Sequence, residues 1–198
     1  MGKKKKLRIK IDIDRLERRC LDTESAFHGL GKTTPTPYGP YTFIDRGGDT
    51  LAIAHLDFVA GAKHFSPCVI SGDLNIFNAR LDDRLGAYVI LDLLPTLGIT
   101  SDILLTTGEE TGNSTGAFFE TNKKYNWMYQ FDRRGTDVVM YHYETKELEN
   151  LLKGVGFTVG RGSFSDIAMM SHLGIKGINF GVGYYDAHSD RSYMVWPD

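Results

Sequence analysis

The sequence lacks several features that would assign it to a specialised class of protein. It has only two cysteines, Cys20 and Cys68, too few for a disulfide framework and not in a Cys-x-x-Cys arrangement. No apolar run approaches the roughly 20 residues that a membrane span requires, and the basic start MGKKKKLRIKIDID is not followed by the apolar core of a secretory signal. A net charge of only −2 gives no general attraction to nucleic acid or membranes. We therefore expect a cytoplasmic protein that binds neither.

Length and composition are those of one ordinary globular domain. The 198 residues are enough for a full core, and 41% of them are hydrophobic while 24% are charged. We interpret the run KKKK at 3–6 as part of a solvated, flexible basic tail that covers residues 1–8. The chain 1–198 is accordingly expected to be a single domain.

Predicted helices and strands alternate along much of the chain. Apolar residues at helical spacing indicate helices, and short apolar runs bounded by turn-forming residues indicate strands. The Gly/Pro/Thr-rich segment 29–40 predicts a loop, and 41–58 predicts a hairpin whose turn spans 45–50. The predicted helices are 12–28, 82–97, 113–122, 145–156 and 163–174, and the other predicted strands are 67–71, 102–107, 127–131, 137–143 and 176–182. This alternation favours an α/β fold, a three-layer sandwich with a mixed central sheet flanked by helices on both faces.

Acidic residues and histidines stand where predicted strands end and where one predicted helix begins. In an α/β sheet a site lies beyond the carboxyl ends of the strands, so such residues should gather at one edge. Taken singly, each has an ordinary explanation, such as an acid in the first turn of a helix, a turn aspartate, or a core or loop histidine. Their convergence from five places in the chain favours a functional site made of His55, Asp57, Asp82, Asp83, Glu109, Glu110, Asp132 and His188.

The adjacent pair Glu109 and Glu110 is the least ordinary feature of this set. Two neighbouring carboxylates at the end of a buried strand repel each other unless a positive charge lies between them. A divalent cation resolves the conflict, and carboxylates together with imidazoles suit Zn²⁺. Two cations about 3.5–4 Å apart would offset the repulsion among several acids, and one glutamate would stay free to act as a general base.

In order and context these motifs resemble those of the co-catalytic two-zinc exopeptidases, which include aminopeptidases, carboxypeptidases and related deacylases. AHLDF is similar to the family's His-x-Asp motif, LDDRLGA to the segment with its bridging aspartate, and GEE to its Glu-Glu pair. QFDRRG resembles the segment of its non-bridging acid, and YYDAHSDRSYM that of its closing histidine. The resemblance implies that the metal ligands are His55, Asp82, Glu110, Asp132 and His188.

The same resemblance implies roles for the individual residues. Asp82 would bridge two divalent cations, Zn²⁺ in the first place, with Co²⁺ or Mn²⁺ as alternatives. Glu109 would be the general base, and Asp57 would orient the imidazole of His55, as carboxylates behind a metal-binding histidine do.

The chain also departs from this family in ways that bear on the substrate. The stretches 57–82 and 132–188 leave no room for the lid or dimerisation domain that many members carry, so we expect a single catalytic domain without either. The family often has a glutamate four residues after its last histidine, where this chain has Ser192.

The expected reaction is metal-assisted hydrolysis of a peptide or a small amide. No obvious arginine or asparagine is available to hold a substrate carboxylate, which favours an aminopeptidase. Asp166, Tyr184 and Tyr185 are candidates to line a substrate pocket, although Asp166 equally fits a residue that caps or braces a helix. Removal of an N-acyl group from a small molecule, and a metal-binding module without turnover, stay open as alternatives. The sequence predicts no oligomeric state.

Overall fold

The computed structural model describes residues 9–59 and 64–196, and the predicted basic tail at 1–8 lies outside them. The described strands are β1 (Lys32–Thr36), β2 (Gly39–Ile44), β3 (Leu51–His55), β4 (Ser66–Ile70), β5 (Asp73–Phe77), β6 (Asp102–Thr106), β7 (Met128–Gln130), β8 (Val138–Val139), β9 (Gly177–Phe180), β10 (Tyr184–Tyr185) and β11 (Tyr193–Trp196). The described α-helices are α1 (Ile13–Leu21), α2 (Glu24–His28), α3 (Leu81–Tyr88), α4 (Leu94–Thr96) and α5 (Lys146–Gly154). None of them has both the length and the apolar character to cross a membrane.

A mixed seven-stranded sheet forms the centre of the molecule, with strand order β1-β2-β6-β3-β7-β9-β8. The inner strands β6, β3, β7 and β9 are parallel, and β1, β2 and β8 are antiparallel to their neighbours. Parallel inner strands place all their carboxyl ends at one edge of the sheet. The expected α/β fold with a mixed central sheet and flanking helices is thereby confirmed.

Alternation of side chains along β3 explains how the sheet is covered on both faces. Ala52 and Ala54 face the same apolar cluster as Ala87 of α3, and these small residues let the helix approach closely. Leu51 and Ile53 face the opposite cluster, which includes Ile167 and Met170 from the segment 166–173. Because both faces are packed, the open place around these strands is the edge where they end.

A second, four-stranded antiparallel sheet has the order β10-β11-β5-β4. It brings the last described strand next to residues that precede α3, since Tyr193 pairs with Phe77 in register. The sequence predicted β4 but not β5, β10 or β11. The loop between β10 and β11 carries His188, so this sheet fixes one of the candidate ligands.

Two predictions for the first half of the chain are wrong. The predicted helix 12–28 is interrupted, because Asp22 and Thr23 adopt extended conformations between α1 and α2. The predicted loop 29–40 contains β1 and the start of β2, which form an antiparallel hairpin at the edge of the sheet. Pro35 is compatible with this edge position, where a missing N–H donor leaves no inner partner unpaired.

The predicted hairpin over 41–58 is also wrong, because β6 lies between β2 and β3 and pairs with both. The predicted helices 113–122 and 163–174 are reduced to short 3₁₀ turns at 115–118, 166–169 and 171–173. In both segments a polar side chain, Ser114 or Asp166, is buried in hydrogen bonds with distant residues, which compete with a regular helix. The helices predicted near α3 and α5 are present, the latter capped by the Thr145 hydroxyl.

Candidate metal centre

Three neighbouring parallel strands deliver most of the candidate side chains to one edge of the sheet. His55 is the last residue of β3, Glu109 and Glu110 follow β6, and Asp132 follows β7. β3 pairs in parallel with both β6 and β7, so the three strand ends lie side by side. Asp82 reaches the same place from the first turn of α3.

One group of possible metal ligands consists of His55, Asp82 and Asp132. The His55 Nε2 lies 3.3 Å from Asp82 Oδ1 and 3.4 Å from Asp132 Oδ1. The three ligand atoms lie within 4.8 Å of one another, a separation that a single cation can span.

A second group consists of Asp82, Glu110 and His188. The His188 Nε2 lies 3.1 Å from Asp82 Oδ2 and 3.1 Å from Glu110 Oε2, and these atoms again lie within 4.8 Å of one another. Asp82 therefore presents Oδ1 to one group and Oδ2 to the other, as a carboxylate between two cations does.

The protonation preferences of these residues reveal a shortage of positive charge. Burial and the neighbouring Asp82 raise the pKa of Asp132 well above its usual range. Burial lowers the pKa of His55, but the carboxylates of Asp132, Asp57 and Asp82 outweigh it and raise the pKa well above the ordinary value. The hydrogen bond to Asp82 raises the pKa of His188. Protons thus supply the charge that the carboxylates need, and divalent cations would supply the same charge more completely.

The donor set fits two cations of the Zn²⁺ type. Each group offers one imidazole nitrogen and carboxylate oxygens, the ligand types of zinc in hydrolases. Glu110 Oε1 is buried and has no hydrogen-bond partner among the described residues, which leaves it free to bind a cation.

Glu109 belongs to neither ligand group. Its Oε2 lies 4.0 Å from His55 Nε2, so the carboxylate borders the first group without entering it. Burial, together with the negative charges of Asp166, Glu110 and Asp82, raises the pKa of Glu109 to about 7. A carboxyl group with such a pKa can accept and release a proton near neutrality.

Asp57 holds two parts of the centre together. The His55 Nδ1 lies 3.0 Å from the backbone carbonyl of Asp57, to which it donates, so Nε2 faces the ligand group. The backbone N–H groups of Glu109 and Glu110 donate to the Asp57 carboxylate at 3.3 and 3.0 Å. Burial raises the pKa of Asp57, but the interactions with His55 and the backbone N–H of Glu110 lower it below its usual value.

The three residues predicted to line a substrate pocket occupy different environments. Asp166 is fully buried, and its carboxylate accepts hydrogen bonds from Thr106, Ser114 and Gln130. Tyr184 is also buried, with its hydroxyl 3.5 Å from Asp132 Oδ1, whereas Tyr185 is exposed and stacks on Tyr193. Asp166 and Tyr184 are therefore placed to support ligands, and Tyr185 alone is accessible.

A network of buried polar residues behind Asp132 was not predicted. Gln130 donates to both Asp166 and Asp132, at 2.7 and 3.2 Å. Asn179 accepts from the backbone N–H of Asp132 and donates to its carbonyl, at 3.0 and 2.9 Å. The available signal was an amide side chain inside each of two apolar strands, YQF and INF, where a polar residue needs a partner.

Asp83 was named as a candidate without a role, and the structure places it beneath His55. Its Oδ2 accepts the backbone N–H of His55 at 3.3 Å, while Oδ1 is buried without a partner among the described residues. Gly86 makes room for this carboxylate, because a Cβ at that position would lie only 1.9 Å from Asp83 Oδ1. Burial raises the pKa of Asp83 well above its usual value.

Comparisons of the whole chain with known proteins identify its fold. No protein-family model matches the sequence, and no curated protein matches it. Among solved structures, it is similar to the aminopeptidase PepT from Bacillus cereus ATCC 10987, with a TM-score of 0.58, 13% identity and coverage of 93% of this chain and 94% of that one. A tripeptidase from Staphylococcus aureus subsp. aureus Mu50 gives a TM-score of 0.59, 13% identity and coverage of 93% and 94%.

A third similar structure is the Pyrococcus horikoshii TET1 peptidase, which can assemble into a tetrahedron or a large octahedral shell. Its TM-score is 0.59 at 12% identity, and the match covers 92% of this chain and 94% of that one. At such identities these likenesses show the fold alone. The chain shares with these solved structures an α/β fold with a mixed seven-stranded sheet and flanking helices.

Proposed function

We propose that this protein is a metal-dependent hydrolase that cleaves a peptide or amide bond, as an aminopeptidase. The observation that carries the proposal is the position of Asp82, whose two carboxylate oxygens face two separate ligand groups. Each of these groups is completed by a histidine and a further carboxylate, the donor set of a metal site.

Two divalent cations would be held by His55, Asp82 and Asp132 on one side and by Asp82, Glu110 and His188 on the other. Zn²⁺ suits these ligands best, and Co²⁺ or Mn²⁺ are the alternatives. When bound, such ions polarise the substrate carbonyl and make water more acidic.

Glu109 is the general base of the proposed reaction. It takes a proton from the attacking water as the oxygen adds to the carbonyl carbon, and it delivers that proton to the leaving nitrogen when the C–N bond breaks. The position of its carboxylate beside the first ligand group and its raised pKa support this role. Asp57 and Asp166 are positioning residues, the former for His55 and the latter, through Gln130, for Asp132.

The charge around the centre supports an aminopeptidase over a carboxypeptidase. Within the described parts of the chain, no lysine or arginine forms an ion pair with the candidate carboxylates. A substrate amino group is therefore better accommodated than a substrate carboxylate. Both cysteines are free, as is usual for the reducing conditions of the cytoplasm, which we propose as its location. We also propose that the chain acts as a single catalytic domain without a lid.

The test combines elemental analysis with a panel of substrates. The purified protein, stripped with a chelator and reloaded with zinc, is expected to hold two ions per chain and to hydrolyse aminoacyl reporters only after reloading. Hydrolysis confined to N-acylated amino acids would instead identify a deacylase. Two bound ions without turnover of either series would indicate a metal-binding module, and an absence of tight metal binding would overturn the proposal.

A further inference from the structure

Two arginines four residues apart in the chain, Arg80 and Arg84, are buried without the partners that a charged group needs. Arg80 is 4% exposed and Arg84 is fully buried. All three guanidinium nitrogens of Arg84, and Nε of Arg80, have no hydrogen-bond partner in the described part of the chain. An unpaired buried charge is among the most unfavourable arrangements in a protein, so this pair requires an explanation.

Aromatic rings account for the flat surfaces of the guanidinium groups but not for their N–H donors. The Cζ of Arg80 lies 3.8 Å from the ring centroid of Phe58, and the Cζ of Arg84 lies 5.8 Å from the same centroid. Arg84 also lies 4.5 Å from the ring centroid of Phe27. Both charges therefore converge on one ring, while the donors along their edges stay unused.

Neighbouring side chains do not neutralise the two charges. Cys20 is fully buried on the adjacent face of α1, and burial raises the pKa of its thiol to about 12 although both arginines oppose this shift. The thiol is therefore neutral at physiological pH. Asp22 and Glu24 influence Arg84 through space, but among the described residues neither forms an ion pair with it.

We propose that Arg80 and Arg84 form an internal binding site for a compact inorganic anion. A guanidinium presents N–H donors in a fork that suits an oxyanion or a halide, and two guanidinium groups supply enough charge to hold one. The burial of both side chains restricts the occupant to a small ion and excludes a nucleotide or a peptide. The site is separate from the candidate metal centre, because Arg84 contacts Phe27 of α2 whereas Asp83 contacts His55 of β3.

Thermal unfolding in different salts tests the proposal. Midpoints are measured in sodium chloride, sodium phosphate and sodium gluconate at equal ionic strength, with gluconate as an anion too bulky to enter. At an anion concentration about 100 times the dissociation constant, we expect a midpoint roughly 5–10 °C higher than in gluconate. A raised midpoint in chloride would indicate a site for a single-atom anion, whereas a raised midpoint in phosphate alone would indicate a site for an oxyanion.

For the variant Arg84→Met, the order of the parent and variant unfolding midpoints should differ between gluconate and the binding anion. In gluconate it removes an unpaired buried charge and should unfold at a higher temperature than the parent protein, whereas in the binding anion it should unfold at a lower one. Arg80→Gln provides a second variant should Arg84→Met fail to fold, and it should lose the anion-specific shift. Arg18→Met, on the exposed face of α1, is the matched control and should retain the shift.

Anomalous diffraction from crystals soaked in sodium bromide gives an independent readout. A peak within hydrogen-bonding distance of Arg80 and Arg84 is expected. Equal midpoints in all three salts, or bromide peaks elsewhere with none between the two arginines, would overturn the proposal.

Discussion

The acids at the two ends of strand β6 lie in opposite hydrogen-bonding and charge environments. At its amino end, Asp102 is fully buried and accepts hydrogen bonds from Lys123, Tyr125 and the backbone N–H groups of Arg46 and Gly48, at 2.5, 2.7, 2.9 and 2.9 Å. These donors satisfy the carboxylate without help from any other molecule. Beyond the carboxyl end, Glu109 and Glu110 face further acids with too few donors.

This difference indicates that the acid at one end of the sheet is satisfied within the protein, whereas the acids at the other end have the charge imbalance expected of a ligand site. Burial raises the pKa of Asp102, but the hydrogen bonds from Lys123, Tyr125 and the amides outweigh it and lower the pKa below its usual value. At the opposite end, burial and like charges raise the pKa values of Asp132 and Glu109. Proteins accept such local conflict where a ligand resolves it.

The largest expected effect is on turnover at the carboxyl end. Glu109→Gln should lower the hydrolytic rate by about 10²- to 10⁴-fold, because a general base contributes on that scale. Elemental analysis should find the same metal content as in the parent protein, since Glu109 lies outside both ligand groups. Glu120→Gln, which alters an exposed glutamate, serves as the control and should leave the rate unchanged. A Glu109→Gln variant with nearly full activity would contradict the assignment.

At the amino end, Asp102→Asn should act on stability rather than on turnover. The amide cannot accept from all four donors, so the free energy of unfolding should fall by about 3 kcal/mol. Urea denaturation measures this change. Asp45→Asn, which alters the more exposed partner of Lys123, should have little effect. A similar loss for both variants would mean that Lys123 alone, and not the four-donor arrangement, stabilises this end.

The effect of Asp102→Asn should depend on pH. The pKa of Asp102 is lower in the folded protein than in the unfolded chain, so the carboxylate stabilises the fold above the unfolded pKa of about 3.9. That contribution is lost as the pH falls through the folded pKa. The difference in stability between parent and variant should therefore be constant from pH 5 to 7 and shrink below about pH 4. A difference that instead grew on acidification would contradict the assignment.

The smallest expected effect has the opposite sign. In metal-free protein, Asp132→Asn should raise the free energy of unfolding by about 1 kcal/mol, because it removes a carboxyl group whose charged form is unfavourable where it lies. Thermal unfolding is measured in the presence of a chelator and again with added zinc. Zinc should stabilise the parent protein more than the variant. If the variant were less stable than the parent under both conditions, the two ends of β6 would not differ as described.

The sequence predicted the strands that carry the site better than the way those strands pair. β3, β6 and β7 are short apolar runs, and their periodicity is visible locally. The insertion of β6 between β2 and β3 depends on contacts some 60 residues apart in the chain, which no local pattern encodes. The same limit explains why the second sheet was predicted only in part, since β5 pairs with β11 at the far end of the described chain.

The candidate site was predictable where chemistry dictates residue type and position together. Acids and histidines that follow strands stand out because they are unusual there. Gln130 and Asn179 did not stand out as functional, and Asp83 was predicted only as a candidate without a role, because their roles depend on partners such as Asp166 and His55 that lie far away in the sequence. A buried polar residue indicates that it has a partner but does not identify it.

Gly86 links these observations to a simple genetic readout. Glycine inside a helix costs about 1 kcal/mol relative to alanine, so alanine would ordinarily be the better residue at this position of α3. Here even a methyl group would collide with the Asp83 carboxylate and lie 2.8 Å from the backbone oxygen of Phe131. A saturation library at codon 86, selected for enzymatic function, should consequently return glycine almost exclusively. Helix propensity alone would predict the opposite, because every residue except proline has a higher helix propensity than glycine.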